Sequence, residues 1–303
     1  MQLMVVVLNE CWKFIYDRLE EKINFLKEDE ITVHKECYKQ GKIIQIEYRV
    51  KDSNINPSTI DDFKHKFQYY MANVFSDIIM YDMEEKIAYK ILSTDYYYFG
   101  LQERKSILSH FKKIQKNEGC QYEEDATCVA RRKQKILGQI IDYLEDDNRI
   151  HLEGFVRFRL KNYIEELENN IERAIEDFLM EKEYNEFIRL LRYFVDIQDA
   201  KIDTVNVLMS QDGKYHLYDD RNSMINNEYI EDLASEMVEK DISYEDLLIS
   251  ALITLAPKKI IMHFSTKIKK KEIIETIKNV FSERVCICSG CDLCLSIKKI
   301  KQE

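Results

Sequence analysis

The longest periodic stretch of apolar and polar positions spans residues 150–198. Within it Ile164, Leu167, Ile171, Ala174 or Ile175, and Phe178 recur at steps of three and four. That spacing places them on one face of an α-helix. Glu165, Glu166, Glu168, Glu172, Arg173 and Glu176 fall mostly on the other face. A second helix is predicted to follow, with Phe187, Leu190 or Leu191, and Phe194 as its buried stripe. Upstream, residues 2–8 are apolar and β-branched and read as a strand. Trp12, Ile15, Leu19, Ile23 and Leu26 mark a helix over 11–27, and residues 31–33 and 43–50 read as further strands. In the last of these Gln45, Glu47 and Arg49 alternate with Ile44, Ile46, Tyr48 and Val50, the period of a half-buried strand.

Residues 52–59 form a loop in which Pro57 precedes a helix-capping Ser58 or Thr59. Phe63, Phe67, Tyr70, Val74 and Ile78 then make a helical stripe that continues towards Leu92. Further helices are predicted over 100–115 and 128–145, separated by a polar stretch at 117–125. In the second of them Ile136, Ile140, Ile141 and Leu144 face inward and Arg131, Arg132, Lys133 and Lys135 outward. Beyond Asp199 the pattern shortens. Strands at 205–209 and 215–218 flank a Gln211-Asp212-Gly213 hairpin signal. Helices follow at 228–239, 244–255 and 270–281, with strands at 258–264 and 284–288. The chain is thus predicted to be α+β and predominantly α-helical, a central helical bundle flanked by small mixed α/β units. Its expected divisions are a β-α-β-β unit over 1–52, a helical domain over 53–198 and a mixed α/β unit over 199–303.

Composition sharpens this picture. The chain has 303 residues, 45% apolar and 33% charged, an ordinary balance for a folded protein. Seven glycines and two prolines leave little punctuation, so helices should be long and loops short. No two glycines lie closer than sixteen positions, so no phosphate-binding loop, dinucleotide fingerprint or nucleophile elbow can be built. There is no H-E-x-x-H either. These absences favour a protein that acts by interaction over an enzyme. The best apolar run, 247–256, is shorter than the ~20 residues that a membrane span needs. The amino terminus lacks the basic flank of an export signal. The expected compartment is the cytoplasm, where the eight cysteines stay reduced.

Four of those cysteines carry the clearest chemistry. Cys286, Cys288, Cys291 and Cys294 form C-x-C-x-x-C-x-x-C at the carboxyl end. Thiolates at C-x-x-C spacing reach one metal, and zinc or an iron–sulfur cluster is the candidate cofactor. One tight loop rarely supplies all four corners of a tetrahedron, so Cys128, His263 or a second chain could complete a site. The competing reading is a strand end whose small thiols pack inward and do nothing more.

Charge adds a weaker candidate. Residues 257–301 hold eleven Lys and Arg against four acids, a balance of +7 that leaves −17 for the rest of the chain's −10. Lys269, Lys270 and Lys271 precede a helix whose amino end favours anions. No aromatic platform interleaves with them, so a solvated lysine face is favoured over nucleic-acid contact. Glu153, Arg157 and Lys161 read as a surface ion-pair ladder, and Arg189 and Arg192 as a basic face open to a partner. His151 and His216 read as hydrogen-bonded histidines. The run Tyr96, Tyr97, Tyr98, Phe99 divides between core and surface.

Three segments carry a family resemblance: LEGFVRFRLKNYIEELENNIERAIEDFLMEKEYNEFIRLLRYFVD (152–196), DGKYHLYDD (212–220) and ITLAPKKIIMH (253–263). Their wording resembles the YtxC-like family of sporulation proteins from endospore-forming bacteria, most densely over 130–295. The resemblance implies a soluble protein from a sporulation context, with no assigned activity, substrate or catalytic residues. The leading expectation for this chain is a cytosolic, sporulation-associated protein that acts through an unknown protein partner. The alternatives are a metal- or iron–sulfur-binding, redox-using module at the terminal cysteines and an accessory nucleic-acid binder at the basic end.

Overall fold

The apolar run at the amino terminus becomes the middle of a sheet. Strand β1 (Gln2–Asn9) buries six consecutive residues, Leu3 to Leu8, because neighbours flank it on both sides and helices cover it. A strand covered on both faces has no polar side to alternate with. Strands β2 (Val33–Gln40) and β3 (Ile43–Val50) form a hairpin whose turn holds Gly41 at φ +58°, a conformation that favours glycine. With β4 (Arg149–His151) the order is β2-β3-β1-β4, antiparallel except for β1 with β4. The computed structural model describes residues 1–9, 15–19, 33–50, 57–117, 126–209, 215–225, 243–263, 271–291 and 294. The helix read over 11–27 is described only at 15–19, which are helical. The helix read over 228–239 and the polar stretch at 118–125 lie outside the described residues.

Helix α1 (Pro57–Asp77) begins with proline at its first position, where a missing N–H leaves nothing unpaired. A π-helical turn, Ile78–Met83, joins it to α2 (Glu84–Thr94) and turns Ile78, Ile79, Met80 and Met83 inward. Helices α3 (Leu101–Asn117), α4 (Ala126–Asp146), α5 (Leu152–Arg159) and α6 (Lys161–Ile197) follow. Their stripes meet the sheet in one core that includes Tyr48, Phe67, Phe75, Ile140, Leu144, Leu167 and Ile171. The chain divides into two compact units, Met1–Leu179 and Met180–Glu303.

One polar pair is buried inside the first unit. The Tyr163 hydroxyl donates to Glu84 Oε2 at 2.7 Å. Burial raises the Glu84 carboxyl above its ordinary 4.5, although the Tyr163 hydrogen bond and the Arg132 charge pull it down. The folded state therefore holds this proton more tightly than the unfolded chain does. Its contribution is fully present below pH 4.5 and is lost as pH rises through the raised value. Glu84→Gln keeps an acceptor for Tyr163 and removes the titration. Melting temperatures of the variant should fall less than those of the wild type between mildly acidic and mildly alkaline buffer. Parallel profiles would show that Glu84 is not titrating in this window.

In the second unit β5 (Ile202–Met209), β6 (Tyr215–Tyr218), β7 (Pro257–His263) and β8 (Val285–Ile287) form a sheet in the order β6-β5-β7-β8. β5 and β6 are an antiparallel hairpin, whereas β5 with β7 and β7 with β8 are parallel. Parallel neighbours need a crossover. Helices α7 (Tyr244–Leu255) and α8 (Lys271–Phe281) lie in those two connections. Ser243 caps α7, its side chain accepting from the Asp246 amide. Val205, Val207, Leu252, Ile260, Met262, Ile277 and Phe281 form a core separate from that of the first unit.

The architecture is the predominantly helical α+β fold read from the pattern, with two corrections. The strand expected at 31–33 is β2 at 33–40, whose VHKECYKQ sequence is mostly polar because it lies at the sheet's edge. The stripe of Ile164, Leu167, Ile171, Ala174, Ile175 and Phe178 does face the core. But no second helix starts after it. α6 runs unbroken for 37 residues, since no glycine or proline interrupts it. In its second half Ile188, Leu191 and Val195 pack inward, and Phe187, Leu190 and Phe194 are exposed. No helix among the described residues is long and apolar enough to cross a membrane.

Candidate metal centre

The parallel ladder of the second unit brings two side chains to one edge. Met262 of β7 stands opposite Ile287 of β8, and the Cys288 amide donates to the Met262 carbonyl at 2.9 Å. Cys288 thus continues the ladder beside His263, the last residue of β7. Both sit at the carboxyl ends of parallel strands, the usual place for a site in such sheets. The chain then turns back. Gly290 adopts φ +133°, which side-chain-bearing residues rarely adopt, and its amide donates to Cys288 Sγ at 3.4 Å. Cys291 and the helical Cys294 follow, three residues apart, the spacing that puts two side chains on one face of a turn.

His263, Cys288, Cys291 and Cys294 thereby present one nitrogen and three sulfurs that all lie within 4.8 Å of one another. His263 Nδ1 is 3.3 Å from Cys291 Sγ and 3.5 Å from Cys294 Sγ. Cys294 Sγ is 3.8 Å from Cys291 Sγ and 3.9 Å from Cys288 Sγ. Around a zinc ion with Zn–S near 2.3 Å and Zn–N of about 2.0–2.1 Å, tetrahedral edges are roughly 3.8 Å for S···S and 3.6 Å for S···N. The donor set fits one such ion. It does not fit an iron–sulfur cluster, whose thiolates bind different irons around a core of several atoms and stand farther apart.

The surroundings prepare the histidine. His263 Nε2 lies 2.9 Å from Asn206 Oδ1, on the neighbouring strand β5. Asn206 Nδ2 donates to the Asp219 carbonyl at 2.9 Å, which fixes the amide so that its oxygen faces the imidazole. Nε2 then carries the proton and Nδ1 turns its lone pair to the sulfurs. Burial lowers the His263 pKa, favouring this neutral form. Burial also pushes the Cys294 thiol up to about 11, against a backbone hydrogen bond from Cys291 that lowers it and with the Cys291 and Cys288 side chains adding to the rise. Ionised together, three thiolates this close would repel one another, and a dication in their midst would offset that repulsion.

Hydrogen bonds that orient a ligating imidazole are worth roughly 10–100-fold in metal affinity. Asn206→Ala should therefore weaken zinc binding by about that factor in a chelator competition. Cys286→Ser should leave it unchanged. An Asn206→Ala protein that competes as well as the wild type would show that the imidazole needs no such support.

Of the four cysteines predicted, three come together, and Cys286 does not join them. It lies exposed on β8 opposite Ile261. The strand is still extended there, so Cys286 stands two residues, about 6.5 Å, back along the chain from Cys288. His263, one of three named candidates to complete the site, occupies the fourth corner, and the Cys128 side chain lies outside the described residues. Asn206 was missed. An Asn between Val205 and Val207, within the strand predicted at 205–209, was the available signal. Elsewhere, His151 caps α5 through the Gly154 amide at 3.0 Å, and His216 sits half-buried on β6. Of the basic stretch, Lys258 pairs with Asp203 at 2.6 Å and Arg284 donates to the Pro257 and Val195 carbonyls, whereas 267–270 and 298–301 lie outside the described residues. Tyr97 and Tyr98 are exposed and Phe99 is buried, the expected division of the aromatic run.

The profile of the YtxC-like family matches residues 69–286. That span includes Asn206 and His263 and stops short of Cys288. Over 219 residues the chain is 26% identical to the protein named Uncharacterized protein YtxC of Bacillus subtilis (strain 168), covering 72% of this chain and 76% of that relative. No solved structure matches.

Proposed function

The chain belongs to the YtxC-like family, and on that premise we propose that it is a zinc-binding protein whose metal holds the carboxyl-terminal unit in shape for interaction with another protein. The observation that carries this reading is the convergence of three thiols and one imidazole nitrogen within 4.8 Å. All four corners of the tetrahedron are side chains of this chain. A zinc ion held that way has no open position for water or substrate, which is the mark of a structural site and not of a catalytic one. Non-catalytic work in the cytoplasm, in the sporulation setting that the family implies, accords with such a site. The cysteine cluster then serves the fold and does not cycle electrons.

The test is metal analysis of the full chain purified without metal-affinity resin. About one zinc per chain is expected, falling to near zero in the Cys288→Ser, Cys291→Ser double variant. Metal-free wild-type protein that takes up no added zinc, with all these thiols open to alkylation, would contradict the reading.

A further inference from the structure

The three sulfurs of the candidate centre differ in what can reach them and in how firmly they are held. Cys294 is buried, whereas Cys288 and Cys291 are half-buried. Cys288 is tied down twice. Its amide continues the ladder to the Met262 carbonyl, and its sulfur accepts from the Gly290 amide at 3.4 Å. A hydrogen bond to a thiolate draws charge from the sulfur and makes it a poorer nucleophile. Cys291 follows the Gly290 turn, and its sulfur lies 3.8 Å from that of Cys294, three residues on. The competing pair, Cys288 with Cys294, is 3.9 Å apart but separated by six positions of chain, so closing it would pull on the end of β8. A disulfide needs its sulfurs at about 2.05 Å. Cys291 and Cys294 can close to that within one turn of chain, at the C-x-x-C spacing of dithiols that are oxidised reversibly.

We infer that Cys291 and Cys294 form a peroxide-sensitive pair whose closure to a disulfide expels the metal. The inference rests on the zinc reading, in which both sulfurs are held as thiolates. The half-buried Cys291 sulfur attacks one oxygen of hydrogen peroxide. The O–O bond breaks, hydroxide leaves and is protonated to water, and the sulfur becomes a sulfenic acid. The Cys294 thiolate then attacks that sulfur, the S–O bond breaks, and a second hydroxide leaves as water. Two electrons pass from the two sulfurs to the two peroxide oxygens, and zinc stays divalent throughout. Sulfurs joined in a disulfide are no longer thiolate ligands. His263 and Cys288 then remain, two donors where a structural zinc takes four. A dithiol reductant reverses the step by exchange and restores both thiols. The oxidation ends the structural role of the site and is not a turnover. Peroxide thereby acts on the shape of the carboxyl-terminal unit.

The test uses the full chain loaded with zinc and treated with hydrogen peroxide, beside an indicator chelator too weak to strip the untreated protein. About one zinc per chain should be released, with the loss of about two thiols. Peptide mass mapping should find the link between Cys291 and Cys294, with Cys288 still open to alkylation. Dithiothreitol and added zinc should restore the starting metal content. Cys291→His keeps a fourth zinc donor but cannot close the bond, so it should hold its zinc through the same treatment. Where that variant binds no zinc, the wild-type mass map decides by itself. Cys286→Ser should release zinc as the wild type does. A link through Cys288 or Cys286 would overturn the inference, as would a zinc-loaded Cys291→His protein that peroxide still empties. Zinc held by the wild type through peroxide overturns this inference alone, whereas a chain that takes up no zinc overturns the zinc reading along with it.

Discussion

Chelating zinc should unfold the carboxyl-terminal unit and leave the amino-terminal unit folded. The reason lies in what secures the described residues after β7. Strand β8 has three residues, pairs among the described strands with β7 alone, at the sheet's edge, and is mostly exposed. Among the described residues past Ile287, the hydrogen bonds of Cys288 and Gly290 and the thiol–imidazole cluster hold the chain to β7. Structural zinc contributes an apparent ~10–16 kcal/mol in small zinc-dependent peptides. A whole domain is stable by only about 5–15 kcal/mol. Loss of the ion is therefore comparable to the stability of the entire unit. Cys294→Ser should mimic chelation most closely, because that sulfur is buried and stands within 3.9 Å of both other sulfurs and of the imidazole. Hydrogen exchange resolves the two units. Chelator should abolish protection at the β7 and β8 amides while those of β1 and β3 stay protected. Unchanged protection at β7 would mean that the sheet needs no metal.

The second large effect is expected in the other unit and has no connection with metal. Phe67 of α1 is fully buried, its ring 5.6 Å from that of Tyr48 and 6.4 Å from that of Phe63. It joins the helical layer to the sheet at the centre of the first core. Phe67→Ala removes that contact and leaves a cavity, at a cost of about 3–5 kcal/mol. Denaturant unfolding should show this as a lower midpoint, with zinc content unchanged. Retained stability would show that neighbours such as Met71 and Phe75 refill the space. The two variants together separate the contributions of the two cores.

Periodicity made most of the helices legible, because a residue's place on a helical stripe depends only on its sequence neighbours. Ile164 through Phe178 are the clearest case, and their burial agrees with the stripe. The same signal misled beyond residue 180. There apolar residues encircle the helix, so spacing could not say whether Phe187 or Ile188 faces the core. β2 was obscured for the opposite reason, since an edge strand shares little of the apolar core that marks strands in a sequence. The candidate site was half legible. Clustered thiols drew attention to 286–294, but spacing does not say where β8 ends, and Cys286 was included though its strand residue stays extended. His263 joins the thiols only through the pairing of β7 with β8, and Asn206 only through the pairing of β5 with β7. Those contacts span 28 to 57 positions of chain, which no local pattern encodes.

X-ray absorption at the zinc edge reads the coordination shell of the metal itself. The expected spectrum is that of three sulfurs at about 2.3 Å and one nitrogen at about 2.0–2.1 Å. A shell dominated by oxygen, a shell of four sulfurs, or protein that arrives at the beamline without zinc would contradict the centre built from His263, Cys288, Cys291 and Cys294.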